Sequence, residues 1–252
     1  EIRGQYATPS ILADLLSRIT VDDWNIECAD LCAGTGTIAK AIIRNKTKRL
    51  ATAEQAFIST WMSDKYAYPL QIANISITDI QAINIPLNMF QSDVFSVNVG
   101  DEIKIKSPID GSEIKKIIPK FGAIISNLPF VEYNKIAMDE QEFIAQIRQN
   151  VQDNTGIEFT SGKTDLYNFI PFKLYELLDT NGKLGIVLSN SWLGTDIGRK
   201  FFDALQYYYD IKAVVASDDK RWFKNADVVG TLLIMQKKNH VRRNLLWKIL
   251  SS

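Results

Sequence analysis

The stretch NIECADLCAGTGTI, residues 25–38, decides how this chain folds. A short apolar segment ends at Asp30, Gly34 and Gly36 follow at turn spacing, and an amphipathic segment begins near Ile38. Strand, glycine turn and helix in this order form the first crossover of a doubly wound α/β sheet, which binds ligands at the carboxyl end of the strand. Glycine suits that turn because it has no Cβ to hold a ligand away from the backbone, and it adopts a positive φ readily.

The acid at the strand end helps to choose between two ligands. Gly34, Gly36 and Ala39 also fit the dinucleotide pattern G-x-G-x-x-A, but this short pattern alone has low specificity. A dinucleotide would bring a pyrophosphate to the turn, where the Asp30 carboxylate would repel it at short range. S-adenosylmethionine has no phosphate and carries an ammonium and a sulfonium, so the carboxylate favours this methyl donor. A turn that only packs a helix against a strand is the plain structural alternative.

Two further strands are expected to end in acids. Residues 56–63 are predicted to form a buried strand ending at Asp64, and residues 87–91 a strand leading to Asp93. An acid at the second strand tip can accept hydrogen bonds from a ribose diol, and one at the third can accept from the adenine amine. Asp79 is the alternative for the ribose, although its surroundings look helical. Three successive acid-tipped strands favour a ligand site over solvated strand ends.

The composition argues against several kinds of chemistry. Lysine plus arginine equals aspartate plus glutamate at 29 each, so no overall basic charge favours nucleic-acid binding. His240 is the only histidine, which argues against histidine triads and histidine-ligated metals. The two cysteines, Cys28 and Cys32, have no second pair, so we expect buried thiols and no metal site. Free thiols suit a reducing cytoplasm, and no apolar run approaches the ~20 residues that span a bilayer.

The remaining patterns predict one α/β domain with a doubly wound, mostly parallel seven-stranded sheet. Thr8 is expected to cap a first helix that Pro9 begins. The other predicted elements are strands at 121–126, 183–190, 211–216 and 228–235, helices at 166–178 and 197–208, a surface insertion at 97–118, and a long polar loop at 133–163.

The chain is expected to be one domain followed by a connector. We assign residues 1–238 to the domain and residues 239–252 to a connector towards a further region, because that stretch is basic with interleaved apolar side chains. The chain begins at Glu1 without a methionine. We therefore expect it to be a processed or excised part of a longer protein.

Three motifs resemble those of the amino-methyltransferases of DNA restriction–modification systems, in the adenine-N6 branch. They are GQYATP at Gly4–Pro9, DLCAGTG at Asp30–Gly36 and NLPF at Asn127–Phe130. Their order is that of the gamma arrangement found in type I and type IIG-like enzymes, and the resemblance extends to about Lys238. The second position of the family tetrapeptide is usually proline, and Leu128 departs from this pattern.

The resemblance implies a cofactor site for S-adenosylmethionine. Tyr6 and Thr8 would line its methionine end, Asp64 would hold the ribose, and Asp93 with Val94 would hold the adenine. Phe223 resembles the second aromatic that stacks on the target base. The residues implied in cofactor binding are Tyr6, Thr8, Asp30, Cys32, Ala33, Gly34, Gly36, Asp64, Lys65, Asp93, Val94 and Asn127.

The same resemblance assigns catalysis to the tetrapeptide Asn127, Leu128, Pro129 and Phe130. The Asn127 side-chain oxygen and the Leu128 main-chain oxygen would accept hydrogen bonds from the two N6 N–H groups of a flipped-out adenine. This draws N6 towards sp³ geometry and frees its lone pair for the methyl group. Because the carbonyl needs only the backbone, we expect proline to be tolerated in place of Leu128. Pro129 stiffens the turn, and Phe130 offers a face for base stacking.

Other activities also fit these motifs. Methylation of a protein glutamine amide or of an RNA base uses a similar planar nitrogen acceptor, although the motif Gly4–Pro9 ahead of the fold favours DNA. The alternative from a different class is a binding module that holds the cofactor but transfers no methyl group. The departure at Leu128 from the family tetrapeptide is the reason to consider it. The expected partners are DNA and further domains or subunits for sequence recognition and cleavage, with no membrane partner.

Overall fold

A seven-stranded sheet forms the centre of the protein. The computed structural model describes residues 7–50, 52–78, 83–131, 138–158, 165–216 and 230–239. Within these ranges a second, two-stranded ribbon lies beside the main sheet. The strands are β1 (Cys28–Asp30), β2 (Thr60–Asp64), β3 (Asn88–Gln91), β4 (Glu102–Lys106), β5 (Glu113–Ile117), β6 (Phe121–Asn127), β7 (Leu178–Ser189), β8 (Tyr209–Ala216) and β9 (Gly230–Lys237).

The main sheet is mostly parallel, with the order β3-β2-β1-β6-β7-β9-β8. Strand β1 pairs in parallel with β2 on one side and with β6 on the other, and β9 pairs antiparallel with both β7 and β8. The connections run outwards in opposite directions from the β1–β6 pair. This pair is therefore the topological switch point, where α/β sheets bind ligands.

Helices cover both faces of the sheet, which confirms the doubly wound architecture. One face packs against α1 and α2, and the other against α5, α6 and α7. A third apolar cluster fills the space between α2, α3, α4 and β2. The helices are α1 (Ser10–Thr20), α2 (Thr37–Thr47), α3 (Ala53–Ile58), α4 (Ala67–Ile77), α5 (Met138–Thr155), α6 (Ile170–Leu177) and α7 (Asp196–Tyr208).

Local sequence explains where several helices begin. The Thr195 hydroxyl accepts the Gly198 N–H at 3.0 Å and so caps α7, the helix predicted at 197–208. Pro171 lies in the first turn of α6, which begins at Ile170. The helix predicted at 166–178 thus starts later than predicted, at the point where the proline falls in the first turn and loses no intrahelical hydrogen bond.

Two of the predicted boundaries were wrong for local reasons. Residues 56–58, predicted as strand, close helix α3, whose N-cap Thr52 accepts the Gln55 N–H at 3.2 Å. The buried strand starts only at Thr60. Thr8 does not cap α1, because Pro9 occupies the N-cap position and no side chain caps this helix.

Two segments predicted as irregular contain regular structure. The surface insertion at 97–118 holds the antiparallel ribbon of β4 and β5. Much of the polar loop predicted at 133–163 is helix α5, whose apolar residues are too few to show a clear helical period. Among the helices described, none has the length and apolar character needed to cross a membrane.

Candidate active site

A cavity of about 270 Å³ opens at the carboxyl ends of β1 and β6, at the switch point of the sheet. It brings together the glycine turn after β1, the segment before α1, the start of α4 and the end of β6. The residues that line it are Ala7, Thr8, Asp30, Cys32, Ala33, Gly34, Thr35, Thr37, Ile38, Tyr68, Pro69, Ile72, Asn127, Leu128 and Pro129.

The two glycines of the turn have different surroundings, although both have positive φ angles. Gly34 (φ 52°) lines the cavity, and a Cβ placed on it would meet no atom within 4 Å. A Cβ on Gly36 (φ 80°) would lie 2.8 Å from the Ala73 Cβ and 2.9 Å from the Ile77 Cδ1. Gly34 therefore keeps the cavity open, whereas Gly36 allows α2 and α4 to approach each other.

Asp30 ends β1 beneath the cavity, with 1% of its surface exposed. Its Oδ1 accepts hydrogen bonds from the Ser126 hydroxyl at 2.8 Å and from the Cys32 N–H at 3.4 Å. Burial raises the pKa of Asp30 to about 7, although these hydrogen bonds oppose the shift. A cation in the cavity would favour the charged carboxylate, because an opposite charge nearby lowers the pKa of an acid.

Asp64 ends β2 and holds the glycine turn in place. Its Oδ2 accepts the Gly34 N–H at 2.8 Å, and its Oδ1 accepts the Tyr66 N–H at 3.0 Å. Asp64 is 1% exposed and does not belong to the cavity lining. In this structure the Asp64 carboxylate holds the backbone of the glycine turn at Gly34.

Lys65 links the tips of β2 and β3 to helix α5. Its Nζ lies 3.2 Å from the Asp93 Oδ2 and 2.7 Å from the Glu140 Oε1. Burial raises the pKa of Glu140, and the nearby Lys65 opposes that rise. The other Asp93 oxygen accepts the Phe95 N–H at 3.0 Å, and the adjacent Val94 packs in the core. These side chains form a polar cluster beside the cavity lining.

Asn127 is the last residue of β6 and lines the cavity, and its carboxamide oxygen is buried. The Asn127 Nδ2 donates to the Thr8 Oγ1 at 3.1 Å. In this orientation the nitrogen end of the carboxamide points to Thr8. Sequence analysis placed both residues at the site but did not predict that they touch.

The surroundings of Leu128 show why a leucine suits the second position of the tetrapeptide in this chain. Its side chain is 1% exposed and packs in the main core, and its N–H donates to the Val187 carbonyl at 3.0 Å. A proline at this position would remove both the hydrogen bond and much of the buried surface. The expectation that proline is tolerated here is therefore not supported.

Phe130 lies just beyond the cavity lining and is half-buried against the core. Its ring meets that of Tyr167 edge to face, with 6.4 Å between centroids. The Tyr167 hydroxyl lies 2.7 Å from the Ser191 Oγ, and burial raises the pKa of this tyrosine well above its usual value. Tyr167 thus holds the aromatic ring that sequence analysis assigned to base stacking.

Cys28 begins strand β1, and Cys32 follows the end of the strand. Cys28 is buried, as expected, and burial raises its pKa to about 11. Cys32 lines the cavity and is half-buried. Burial and the carboxylates of Asp30, Asp64 and Asp93 raise the pKa of the Cys32 thiol. No group of three or more histidine, cysteine or acidic side chains in the described ranges could hold a metal ion.

The cavity gathers most of the assigned residues but not all of them. Those in its lining are Thr8, Asp30, Cys32, Ala33, Gly34, Asn127, Leu128 and Pro129. Those outside it are Gly36, Asp64, Lys65, Asp93, Val94 and Phe130. Tyr6, Phe223 and the alternative Asp79 lie outside the described residues, as does the connector from His240 onwards.

Sequence reasoning missed several neighbours of the site. The first turns of α4 contribute Tyr68, Pro69 and Ile72 to the cavity, and Tyr68 is 68% exposed there. An exposed aromatic residue soon after an acid-tipped strand could have signalled this wall. Glu140 gave no such signal, because its contact with Lys65 depends on the placement of α5.

Comparison with solved structures identifies the class of fold. The chain aligns with a candidate class I S-adenosylmethionine-dependent methyltransferase from Listeria monocytogenes over 95% of its own length and 63% of that protein, with a TM-score of 0.62 and 15% identity. It aligns with a type I restriction–modification methyltransferase subunit from Streptococcus thermophilus over 95% and 46%, with a TM-score of 0.62 and 16% identity. The fold is therefore that of the class I S-adenosylmethionine-dependent methyltransferases.

A third structure is much longer than this chain. It is the ATP-dependent type ISP restriction–modification enzyme LlaBIII bound to DNA, matched over 94% of this chain but 19% of that protein, with a TM-score of 0.68 and 13% identity. The chain thus spans less than two thirds of each of these three proteins. A search of the curated proteins found no match.

The family follows from the sequence itself. The model of the Eco57I restriction-modification methylase family matches residues 43–223, which is more than half of the chain. The protein belongs to this family. Family and fold together imply S-adenosylmethionine as the cofactor, and the acidic β1 tip and the open space above Gly34 fit that molecule.

Proposed function

We propose that this chain transfers the methyl group of S-adenosylmethionine to N6 of an adenine flipped out of DNA. The observation that carries the proposal is the position of Asn127. Asn127 ends β6 and lines the same cavity as Asp30 and Gly34, which end and follow the neighbouring strand β1. A side chain able to activate an amine therefore stands beside a site that fits the methyl donor.

The chain's own residues divide the binding of the donor between them. Asp30 would attract the ammonium group, and Gly34 leaves the backbone open to the amino-acid portion. Asp64, Lys65, Asp93 and Val94 follow the next two strands, and we assign the adenosine part to this side. When bound, S-adenosylmethionine supplies a methyl group on a sulfonium, which is a good leaving group.

The catalytic residues would act by position and hydrogen bonding. The Asn127 amide oxygen and the Leu128 main-chain oxygen would accept hydrogen bonds from the two N–H groups of adenine N6, and both hydrogen bonds strengthen as the nitrogen becomes tetrahedral. After methyl transfer, one of the two N6 protons is lost to solvent and the other stays on the methylated amine. Interactions that are stronger in the transition state than in the ground state accelerate the reaction. Phe130, held by Tyr167, would stack on the flipped base, which is typically worth about 1–3 kcal/mol.

DNA is the proposed acceptor because the chain belongs to a restriction–modification family and LlaBIII, which shares its fold, was solved bound to DNA. The chain spans under half of the Streptococcus thermophilus subunit. We therefore assign sequence recognition and any cleavage to further domains or subunits. We retain 1–238 as the methyltransferase domain, 239–252 as its connector and the cytoplasm as its location, each as part of the proposal.

The test separates cofactor binding from chemistry. Asn127→Ala should keep the affinity for S-adenosylmethionine within a few-fold while abolishing methyl transfer into unmethylated DNA, because the amide acts mainly as N6 changes geometry. Asn25→Ala, in an exposed loop remote from the cavity, is the matched control. Near-normal transfer by Asn127→Ala would refute the catalytic assignment.

The alternative functions give different results in the same assay. A binding module would take up S-adenosylmethionine in calorimetry and transfer no methyl group to any acceptor. A protein or RNA methyltransferase would label glutamine-containing peptides or RNA in preference to DNA. Quantifying N6-methyladenine in the DNA product identifies the acceptor atom directly.

A further inference from the structure

The hydrogen bond between Asn127 and Thr8 joins two parts of the chain that lie 119 positions apart. Both residues line the cavity. Thr8 precedes α1, but its hydroxyl does not cap this helix. The N-cap of α1 is Pro9, and no side chain makes a capping hydrogen bond there. Helix initiation therefore does not explain why a hydroxyl stands at this position.

The amide of an asparagine has two chemically different ends. Rotation by 180° about its last bond exchanges an acceptor for a donor of nearly the same size. Only the oxygen can accept a proton from adenine N6, so the flipped amide would oppose the proposed reaction. In this structure the Thr8 Oγ1 accepts from the nitrogen end of the amide. The flipped amide could bond to Thr8 only by accepting the hydroxyl proton, which would then no longer be free to bind another group.

We infer that Thr8 is a positioning residue that holds the Asn127 amide with its oxygen directed towards the substrate amine. This inference rests on the proposed function and deepens it. A threonine hydroxyl accepts two hydrogen bonds and donates one. Thr8 can therefore accept from Asn127 and still donate its own proton to the cofactor, so that one hydroxyl connects the donor site to the catalytic amide.

The test compares Thr8→Val, which keeps the shape but removes the hydroxyl, with Thr8→Ser, which keeps the hydroxyl. In the full-length protein, Thr8→Val should lower kcat for methyl transfer about tenfold, since one neutral hydrogen bond of this kind sets the amide orientation. Thr8→Ser should restore kcat to within about threefold of the original. Thr47→Val, at the far end of α2 from the cavity, controls for the loss of a hydroxyl elsewhere.

A second readout does not depend on activity. Thr8→Val, Asn127→Ala and the double variant form a cycle in which thermal unfolding is measured. If the two side chains are bonded, the shifts in Tm should be non-additive, because either single change removes the shared contact. Additive shifts would overturn the inference, as would an unchanged kcat in Thr8→Val or equal losses in Thr8→Val and Thr8→Ser.

The outcomes also separate this inference from the proposed function. If Asn127→Ala is inactive while Thr8→Val turns over normally, the proposed function stands and the role of Thr8 is wrong. If the unsubstituted protein transfers no methyl group to DNA, RNA or protein, the proposed function itself fails. In that case the unfolding cycle still tests whether the two side chains are coupled.

Discussion

At the residue scale, the two glycines of the turn after β1 differ in their surroundings. The space above Gly34 belongs to the cavity, whereas the space above Gly36 is filled by Ala73 and Ile77 of α4. The sequence motif alone does not distinguish the roles of the two glycines. Only the course of the following helices gives them different tasks.

This difference predicts opposite phenotypes for two identical substitutions. Alanine at either position costs about 1–2 kcal/mol, because its Cβ disfavours the left-handed backbone conformation. Gly36→Ala should lose about 1–3 kcal/mol more, because its Cβ overpacks α4, and Gly34→Ala should instead weaken S-adenosylmethionine binding. Urea unfolding and calorimetry on both variants provide the measurements. Equal stability of the two variants would contradict the packing role of Gly36.

Asp30 predicts a pH dependence of cofactor binding. Its pKa in the folded protein is raised to about 7, so the carboxyl group is mostly neutral below that pH. A bound ammonium favours the ionised form, and binding below pH 7 must therefore release a proton. We expect affinity to rise by up to about tenfold per pH unit from pH 5.5 to 7 and then to level off.

The control for this prediction is Asp30→Asn, which cannot titrate. Its affinity should be low and nearly constant over the same range, when titrated by calorimetry. The unliganded protein should behave in the opposite way, with stability falling as pH rises from about 4 to 7, because the folded state holds a proton that the unfolded chain has lost. A steep pH profile in Asp30→Asn would assign the proton to another group.

Sequence patterns found the residues whose roles are set locally. Asp30, Gly34 and Asn127 each follow or end a strand, so their position at the rim of the sheet was predictable from the order of the elements. The bond between Asn127 and Thr8 and the ion pair between Lys65 and Glu140 were not predictable. Both depend on how distant segments pack, which no local period encodes.

At the element scale, one buried lysine joins the C-terminal end of α2 to the strands below it. The Lys46 Nζ donates to the Ile26 carbonyl at 2.5 Å and to the Ser59 carbonyl at 2.9 Å, and it lies 2.7 Å from the Ser59 Oγ. Burial lowers the pKa of this lysine, although the three oxygens compensate part of its lost hydration. It therefore holds together the entries of β1 and β2.

We predict that Lys46→Met destabilises the protein by about 2–4 kcal/mol. The change keeps an apolar side chain of similar length, but it removes the hydrogen bonds from the ammonium group to the Ile26 and Ser59 carbonyls, and bonds to a charged group are worth about 1.5–3 kcal/mol each. The Ser59 carbonyl keeps the Cys28 N–H as a second donor. The exposed Lys48 in the same region provides the control, and Lys48→Met should leave stability unchanged. Chemical unfolding of both variants decides the matter, and equal stabilities would show that Lys46 is dispensable.

The element boundaries show where patterns fail. A run of apolar residues at 56–63 reads as one strand, yet the cap at Thr52 forms a helix that lasts to Ile58. Helix α5 is mostly polar because much of its surface faces solvent, so its period was too weak to recognise. At residues 56–58 the capped helix outweighed the apolar pattern, whereas in α5 there was too little apolar pattern to predict a helix.

At the scale of the whole molecule, the charge balance predicts weak binding to duplex DNA. Lysine and arginine equal aspartate and glutamate in number, so the electrostatic contribution that holds proteins on DNA is small. Flipping a paired adenine costs a few kcal/mol more. Residues 1–252 should therefore bind S-adenosylmethionine but bind no duplex sequence more tightly than about 1 µM at physiological salt.

A salt-controlled titration against random duplexes measures this binding. Methyl transfer into single-stranded or mismatched oligonucleotides provides the companion assay, because an unpaired adenine needs less energy to leave the stack. Any transfer by this chain alone should favour those substrates. Tight, sequence-selective binding to a duplex would reveal a recognition surface within residues 1–252.

The strand order has a consequence for synthesis on the ribosome. Strand β9, the last described strand, inserts between β7 and β8, which both precede it in the chain. Until residue 237 has left the exit tunnel, β7 presents an unpaired edge of backbone donors and acceptors, and such edges recruit other chains. We therefore expect nascent chains that stall before β9 emerges to aggregate more readily than chains in which β9 has paired with β7.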